Sequence, residues 1–177
     1  VPFAYAVAGL MSKKHDWIKA SLPWASFSAA VLGTGVMMGA AWAYESLSFG
    51  GYWAWDPVEN ASMVPWLTLI AGLHTNLIYK NSGYSLRPTY FFYIISFILI
   101  LYSTFLTRSG ILGDTSVHAF TDLGMNTQLL LFLLVFLVRH FCLICVFALQ
   151  QLCLLQDFLL FLHSHQNILL WVLYLKN

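Results

Sequence analysis

The sequence predicts an all-α fold: a polytopic transmembrane helix bundle with a tryptophan-rich external loop. Three observations carry this expectation. Sixty per cent of the 177 residues are hydrophobic and 8% are charged, where a soluble domain carries about a quarter charged residues. Apolar runs recur at the length a helix needs to cross the hydrocarbon core, about 20 residues. Between two of these runs the aromatic residues crowd together. Trp42, Tyr44, Phe49, Tyr52, Trp53, Trp55 and Trp66 all fall within residues 42–66. A belt at a membrane edge needs one or two such rings, so this density predicts a flat apolar surface for a large planar ligand. A formal net charge of +1 gives no basic field for nucleic acid.

Taken in order, the chain opens at Val1 without methionine, and residues 1–11 are already apolar. This reads as half a spanning helix of a fragment, not as a signal peptide. Spans are expected near 23–45, 63–79, 89–107 and 127–148, with a last apolar stretch over about 150–175. Residues 1–138 form one transmembrane domain in this reading. The tail 139–177, rich in Leu, Phe, Cys and Gln, is divergent or frameshifted. The connecting loops alternate in charge. Loop 12–22 carries Lys13, Lys14 and Lys19, and loop 80–88 carries Lys80 and Arg87. The aromatic loop holds Asp56 and Glu59 without a cation. By the positive-inside rule the lysine-bearing loops are cytoplasmic. The aromatic loop and loop 108–126 then share the opposite face. Gly35 and Gly39 form G-x-x-x-G, with Gly33 one turn earlier, which predicts close helix packing.

Within the aromatic loop, Gly50-Gly51 permits a sharp turn. Asp56-Pro57-Val58-Glu59 has the form of a capping box, with Asp56 as N-cap, Pro57 at N1 and Glu59 reaching back. A short surface helix is expected from Pro57, with Pro65 near the start of the next span. The cap role outweighs acid–base chemistry for both acids. His74 lies within a span, so it is expected to face the bundle interior with a partner. It reads either as a packing histidine or as a metal ligand or proton carrier. His118 follows Asp114 in the outward loop, where a lone histidine is ordinarily solvated. Cys142-Leu143-Ile144-Cys145 matches C-x-x-C inside an apolar run, but Val146 excludes the C-x-x-C-H haem attachment site.

These residues add up to a family resemblance. Gly50 to Ser62, followed by Pro65-Trp66 and His74, resembles the tryptophan-rich WWD signature of the CcmF/CcsA/CcmC cytochrome c assembly proteins. Thr104 to Leu112, ending in Ser116-Val117-His118-Ala119-Phe120, is similar to the periplasmic histidine loop of the CcmF and CcsA branches. Phe49 and Tyr52 stand where tryptophan is usual, and Gly113-Asp114 looks like a small insertion. The resemblance covers about residues 1–138.

The resemblance implies a protein that handles haem and presents it for covalent attachment to apocytochrome c, whose thiols add to the vinyl groups. It implies a haem-presenting surface comprising Gly51, Tyr52, Trp53, Trp55, Asp56 and Trp66. It implies that His118 ligates the presented haem iron and that His74 ligates a separate haem b. Each iron requires a second histidine, expected before Val1 and beyond this chain. Apocytochrome c, a haem chaperone or other assembly subunits, and membrane lipid are the implied partners. The implied location is a bacterial or organellar inner membrane, with the aromatic loop on the outer, periplasmic face. Two other readings stand beside this one: a haem exporter of the CcmC type without lyase activity, and a structural subunit whose aromatic rings only anchor it.

Overall fold

The computed structural model describes residues 1–46, 51–112, 116, 124–142 and 145. The chain divides into two compact units, Val1–Leu137 and Val138–Asn177, and the architecture below belongs to the first. The described residues are helical, without strands. The helices are α1 (Pro2–Ser12), α2 (Trp17–Ser46), α3 (Pro57–Ser82) and α4 (Leu86–Arg108), followed by α5 (Asn126–Cys142). Three of them, α2, α3 and α4, are long and apolar enough to cross a membrane. Polytopic membrane insertion is therefore the chain's architecture. The expected last stretch at 150–175 lies outside the described residues.

Local sequence sets the helix ends. Pro2 opens α1, where a missing N–H costs little, and Lys13 closes it in the left-handed region at φ 56°. Gly83, at φ 75°, closes α3, and its N–H donates to the Tyr79 carbonyl at 2.9 Å. One expectation fails in the middle of α3. No separate surface helix precedes the span, because α3 runs unbroken for 26 residues with Pro65 inside it. A break there would strand several backbone groups in hydrocarbon, whereas the proline strands one carbonyl. Likewise α2 begins at Trp17 and passes through Pro23, so half of the expected lysine loop is helical.

The helices close a ring: α1 packs on α2 and α4, α2 on α3, and α3 on α4. Lipid tails are as apolar as leucine, so apolar burial alone does not hold such a ring together. Polar contacts and close approaches do. At the lysine-bearing end, Asn76 is fully buried. Its Nδ2 lies 2.8 Å from Tyr93 Oη, 3.0 Å from Ser21 Oγ and 3.3 Å from the Ile18 carbonyl. Three helices thus meet on one amide. Beside it Trp17 Nε1 donates to Tyr90 Oη at 2.9 Å, and the Phe3 and Phe97 rings stack at 4.1 Å. Gly72 admits Tyr93, since a Cβ there would lie 2.8 Å from the ring.

The glycine pattern of α2 works differently from the expectation. Gly35 and Gly39 have nothing within 4 Å of an added Cβ, so the G-x-x-x-G pair is no helix contact among the described residues. Gly33 is the packed position. A Cβ there would meet Trp66 Nε1 at 2.7 Å, and that nitrogen donates to the Ala29 carbonyl at 3.0 Å. A whole indole, not a second helix backbone, fills the space that the glycine leaves.

Candidate functional site

The site is built on the N-terminus of α3. Asp56 Oδ2 accepts from the Val58 N–H at 3.0 Å, and Glu59 Oε2 accepts from the Asp56 N–H at 3.3 Å. The capping box read from the sequence is present. Glu59 Oε2 also accepts from the Ala54 N–H at 2.9 Å, two residues further back. One carboxylate oxygen therefore grips the residues on both sides of Trp55. Trp55 itself sits at φ 58°, a left-handed conformation that costs a non-glycine residue roughly 1–2 kcal/mol. Asn60 Nδ2 donates to its carbonyl at 3.1 Å. Held on both sides, the indole is turned outward and is 68% exposed. Bulky residues kept in this conformation by their surroundings cluster at functional sites.

The rings do not form one flat surface. Trp53 and Trp55 stand edge to face, 6.1 Å apart at 86°. Tyr52 is exposed and stacks on Tyr44 at 4.3 Å and 15°. Trp53 turns inward and Trp66 packs against α2. Residues i and i+2 of an extended segment share a face, and the left-handed φ of 58° at Trp55 breaks that register, so Trp53 and Trp55 diverge. The planar surface expected from the sequence is corrected to a divergent set of rings. Trp55 and the Tyr52–Tyr44 pair remain open to a ligand. Gly51 has open space around it, and Phe49 lies outside the described residues.

Asp56 is buried, and its Oδ2 also accepts from Ser116 Oγ at 2.6 Å. This bond spans 60 residues and ties the loop after α4 to the cap of α3. Sequence reasoning missed Ser116. Its position two residues before His118 was the only available signal. His118 lies outside the described residues.

His74 is exposed, contrary to the expectation that it faces the bundle interior. The interior faces of α3 near it are taken by Gly72 against Tyr93 and by Asn76, which leaves the imidazole on the outer side. Its Nδ1 lies 2.8 Å from the Ile70 carbonyl. A carbonyl only accepts, so Nδ1 donates, and in the neutral ring the lone pair then lies on Nε2. That is the state a metal-ligating imidazole requires, with the other nitrogen held by a backbone acceptor. At 1.5 Å per residue His74 lies roughly 25 Å along α3 from Pro57, so it does not belong to the loop site. Among the described residues no group of three or more His, Cys, Asp or Glu is placed to hold a metal ion.

Behind the loop, a cavity of about 660 Å³ lies among α1, α2, α3 and α4. Trp53 and Glu59 line it near the loop, and Gly35 and Gly39 line its α2 wall.

Residues 2–112 match the family described as Cytochrome C assembly protein. The cytochrome c-type biogenesis protein CcmF of Pseudomonas aeruginosa is 44% identical over 137 residues, covering 76% of this chain and 20% of that protein. CcmF of Escherichia coli is 41% identical over 124 residues, covering 69% of this chain and 19% of that protein. A solved structure titled Cytochrome c Heme Lyase CcmF superposes with a TM-score of 0.57 at 38% identity, over 78% of this chain and 23% of that one. The chain spans about a fifth of the length of these relatives.

Proposed function

The chain belongs to the cytochrome c assembly protein family, and from that premise we propose that it presents haem for covalent attachment to apocytochrome c. The observation that carries this reading is the Ser116–Asp56 hydrogen bond. It holds Ser116 against the cap that turns Trp55 outward. In this reading the aromatic face and the His118 imidazole, from distant parts of the chain, act on one substrate haem. The haem supplies the vinyl carbons to which the apocytochrome thiols add. The protein supplies orientation, an effect of proximity. Trp55 and Tyr52 offer exposed faces for the macrocycle, and His118 offers an axial nitrogen.

In this reading His74 serves a second iron, that of a haem b, on the outer side of α3. Its Nδ1–H, held by Ile70, leaves Nε2 to ligate. The membrane is a bacterial or organellar inner membrane, and the aromatic loop faces its outer side. Apocytochrome c, a haem chaperone and other assembly subunits are the partners. Delivery of haem without lyase activity is the weaker reading, because the relatives above are CcmF proteins and the matching structure is titled a haem lyase.

The test is to purify His118→Ala and His74→Ala in the full-length protein and compare haem spectra with and without added imidazole. The expected outcome is loss of the presented haem in the first, partly restored by imidazole, and loss of the haem b signal in the second. Loss of the same haem in both variants would overturn the two-site reading. No loss in either would overturn both ligand assignments.

A further inference from the structure

We propose that Ser116 is a positioning residue for haem presentation: its hydroxyl pins the loop after α4 to the cap of the tryptophan loop and so holds His118 within reach of the haem. The role rests on His118 being the axial ligand of the presented haem. Ser116 is 5% exposed, and its Oγ donates to Asp56 Oδ2 at 2.6 Å. That separation is the one expected for a hydroxyl on a carboxylate, about 2.5–2.7 Å, a bond roughly twice as strong as one between neutral groups. The start of α3 does not call for it. The same Oδ2 already accepts from the Val58 N–H, and Glu59 closes the capping box from the other side. What the bond adds is a tie between two loops that lie 60 residues apart in the chain.

The hydroxyl reaches Asp56 from a segment that is itself anchored. The Ser109 N–H donates to the Phe105 carbonyl at 3.0 Å, just past the last turn of α4. Ser109 is 1% exposed, and its Oγ accepts from the Ile111 N–H at 3.3 Å. The Ser116 N–H donates to the Leu112 carbonyl at 2.8 Å. Hydrogen bonds thus run stepwise from α4 to Ser116 and end on the cap beside Trp55. Residues 109–125 join α4 to α5, and Ser116 lies near the middle of this stretch. A connection of that length loses conformational freedom when one of its side chains must meet a ligand. Pinning its middle places that loss in folding instead of in haem binding, which is preorganisation. Two residues of chain reach at most about 7 Å, so holding Ser116 limits how far His118 can stray from the cap.

The experiment uses full-length protein in detergent, stripped of the presented haem and titrated with haem while the Soret band is followed. Breaking a hydrogen bond to a charged acceptor shifts the held population by roughly 10- to 100-fold. Ser116→Ala should therefore raise the half-saturating haem concentration by about tenfold or more. Ser116→Thr keeps the hydroxyl and should restore most of the affinity. The double variant separates positioning from structure. If Ser116 acts through His118, Ser116→Ala adds nothing to His118→Ala, whereas an independent role adds its full effect. A measurement without haem accompanies the titration. Amide exchange at residue 116 should quicken by roughly 10- to 100-fold in Ser116→Ala, with α4 and α3 beyond its first turn unchanged. No weakening in His118→Ala would overturn the ligand reading itself. Weakening in His118→Ala but not in Ser116→Ala would overturn the positioning role and leave the ligand reading standing. So would an equal effect of Ser116→Ala in both backgrounds, equal weakness of Ser116→Thr and Ser116→Ala, unchanged exchange at residue 116, or faster exchange throughout α3 and α4.

Discussion

Replacing Glu59 with alanine should release the tryptophan loop while leaving the helices in place. Glu59 Oε2 accepts from Ala54 at 2.9 Å and from Asp56 at 3.3 Å. A hydrogen bond to a charged acceptor contributes about 1.5–3 kcal/mol. The longer contact belongs at or below the bottom of that range. Two opposing terms reduce the sum. The partnerless Glu59 Oε1 disappears with the side chain, and Trp55 is freed to leave its left-handed conformation, which recovers roughly 1–2 kcal/mol. With the unpaired oxygen at about 1 kcal/mol, the low end for a buried group without a partner, the net loss is about 1–2 kcal/mol, confined to residues 51–56. Each 1.4 kcal/mol is a factor of 10 in the local opening equilibrium. Amide hydrogen exchange of the full-length protein in detergent should therefore quicken by about 5- to 30-fold at Ala54 and Asp56. Exchange within α3 beyond its first turn and within α4 should not change. Glu59→Gln keeps an acceptor oxygen and should lie between the two. Unchanged exchange at Ala54 and Asp56 in the alanine variant would refute the claim that this carboxylate holds the loop. A uniform acceleration across α3 and α4 would refute its local character.

Asn76→Leu removes the amide on which α2, α3 and α4 meet. Buried polar contacts between membrane helices contribute about 0.6–1.7 kcal/mol each, so a loss of roughly 1–2 kcal/mol is expected in a reversible unfolding titration in detergent; a neutral result would mean that the network adds nothing to assembly. Gly33→Leu drives a side chain into the Trp66 ring and should cost about 1–3 kcal/mol through overpacking, whereas Gly35→Leu, which meets open space, should cost much less by the same titration.

How far these features were legible in the sequence follows from the range of the forces behind them. The spans could be read because about 20 apolar residues cross a bilayer whatever surrounds them. The capping box could be read because all its partners lie within four residues. The continuity of α3 through Pro65 could not. Proline lowers helix propensity locally, and it is the apolar surroundings that make a break more costly than the kept helix. The glycines of α2 were visible as a pattern, but only the placement of Trp66 decides that Gly33 is packed and that Gly35 and Gly39 border a cavity. His74 was recognised as unusual from composition, yet its outward direction depends on which face of α3 meets Tyr93. The aromatic density was plain in the sequence. The perpendicular setting of Trp53 and Trp55 was not, because it depends on the grip of Glu59 on both neighbours of residue 55. The Ser116–Asp56 bond joins positions 60 residues apart. Composition and span length are properties of one continuous stretch of chain, and cap chemistry acts within a single turn of helix, so all three can be read residue by residue. Which faces meet, which polar atoms are left without partners, and which distant loop closes on the cap were decided only by tertiary packing, where the contact is between residues that no local pattern relates.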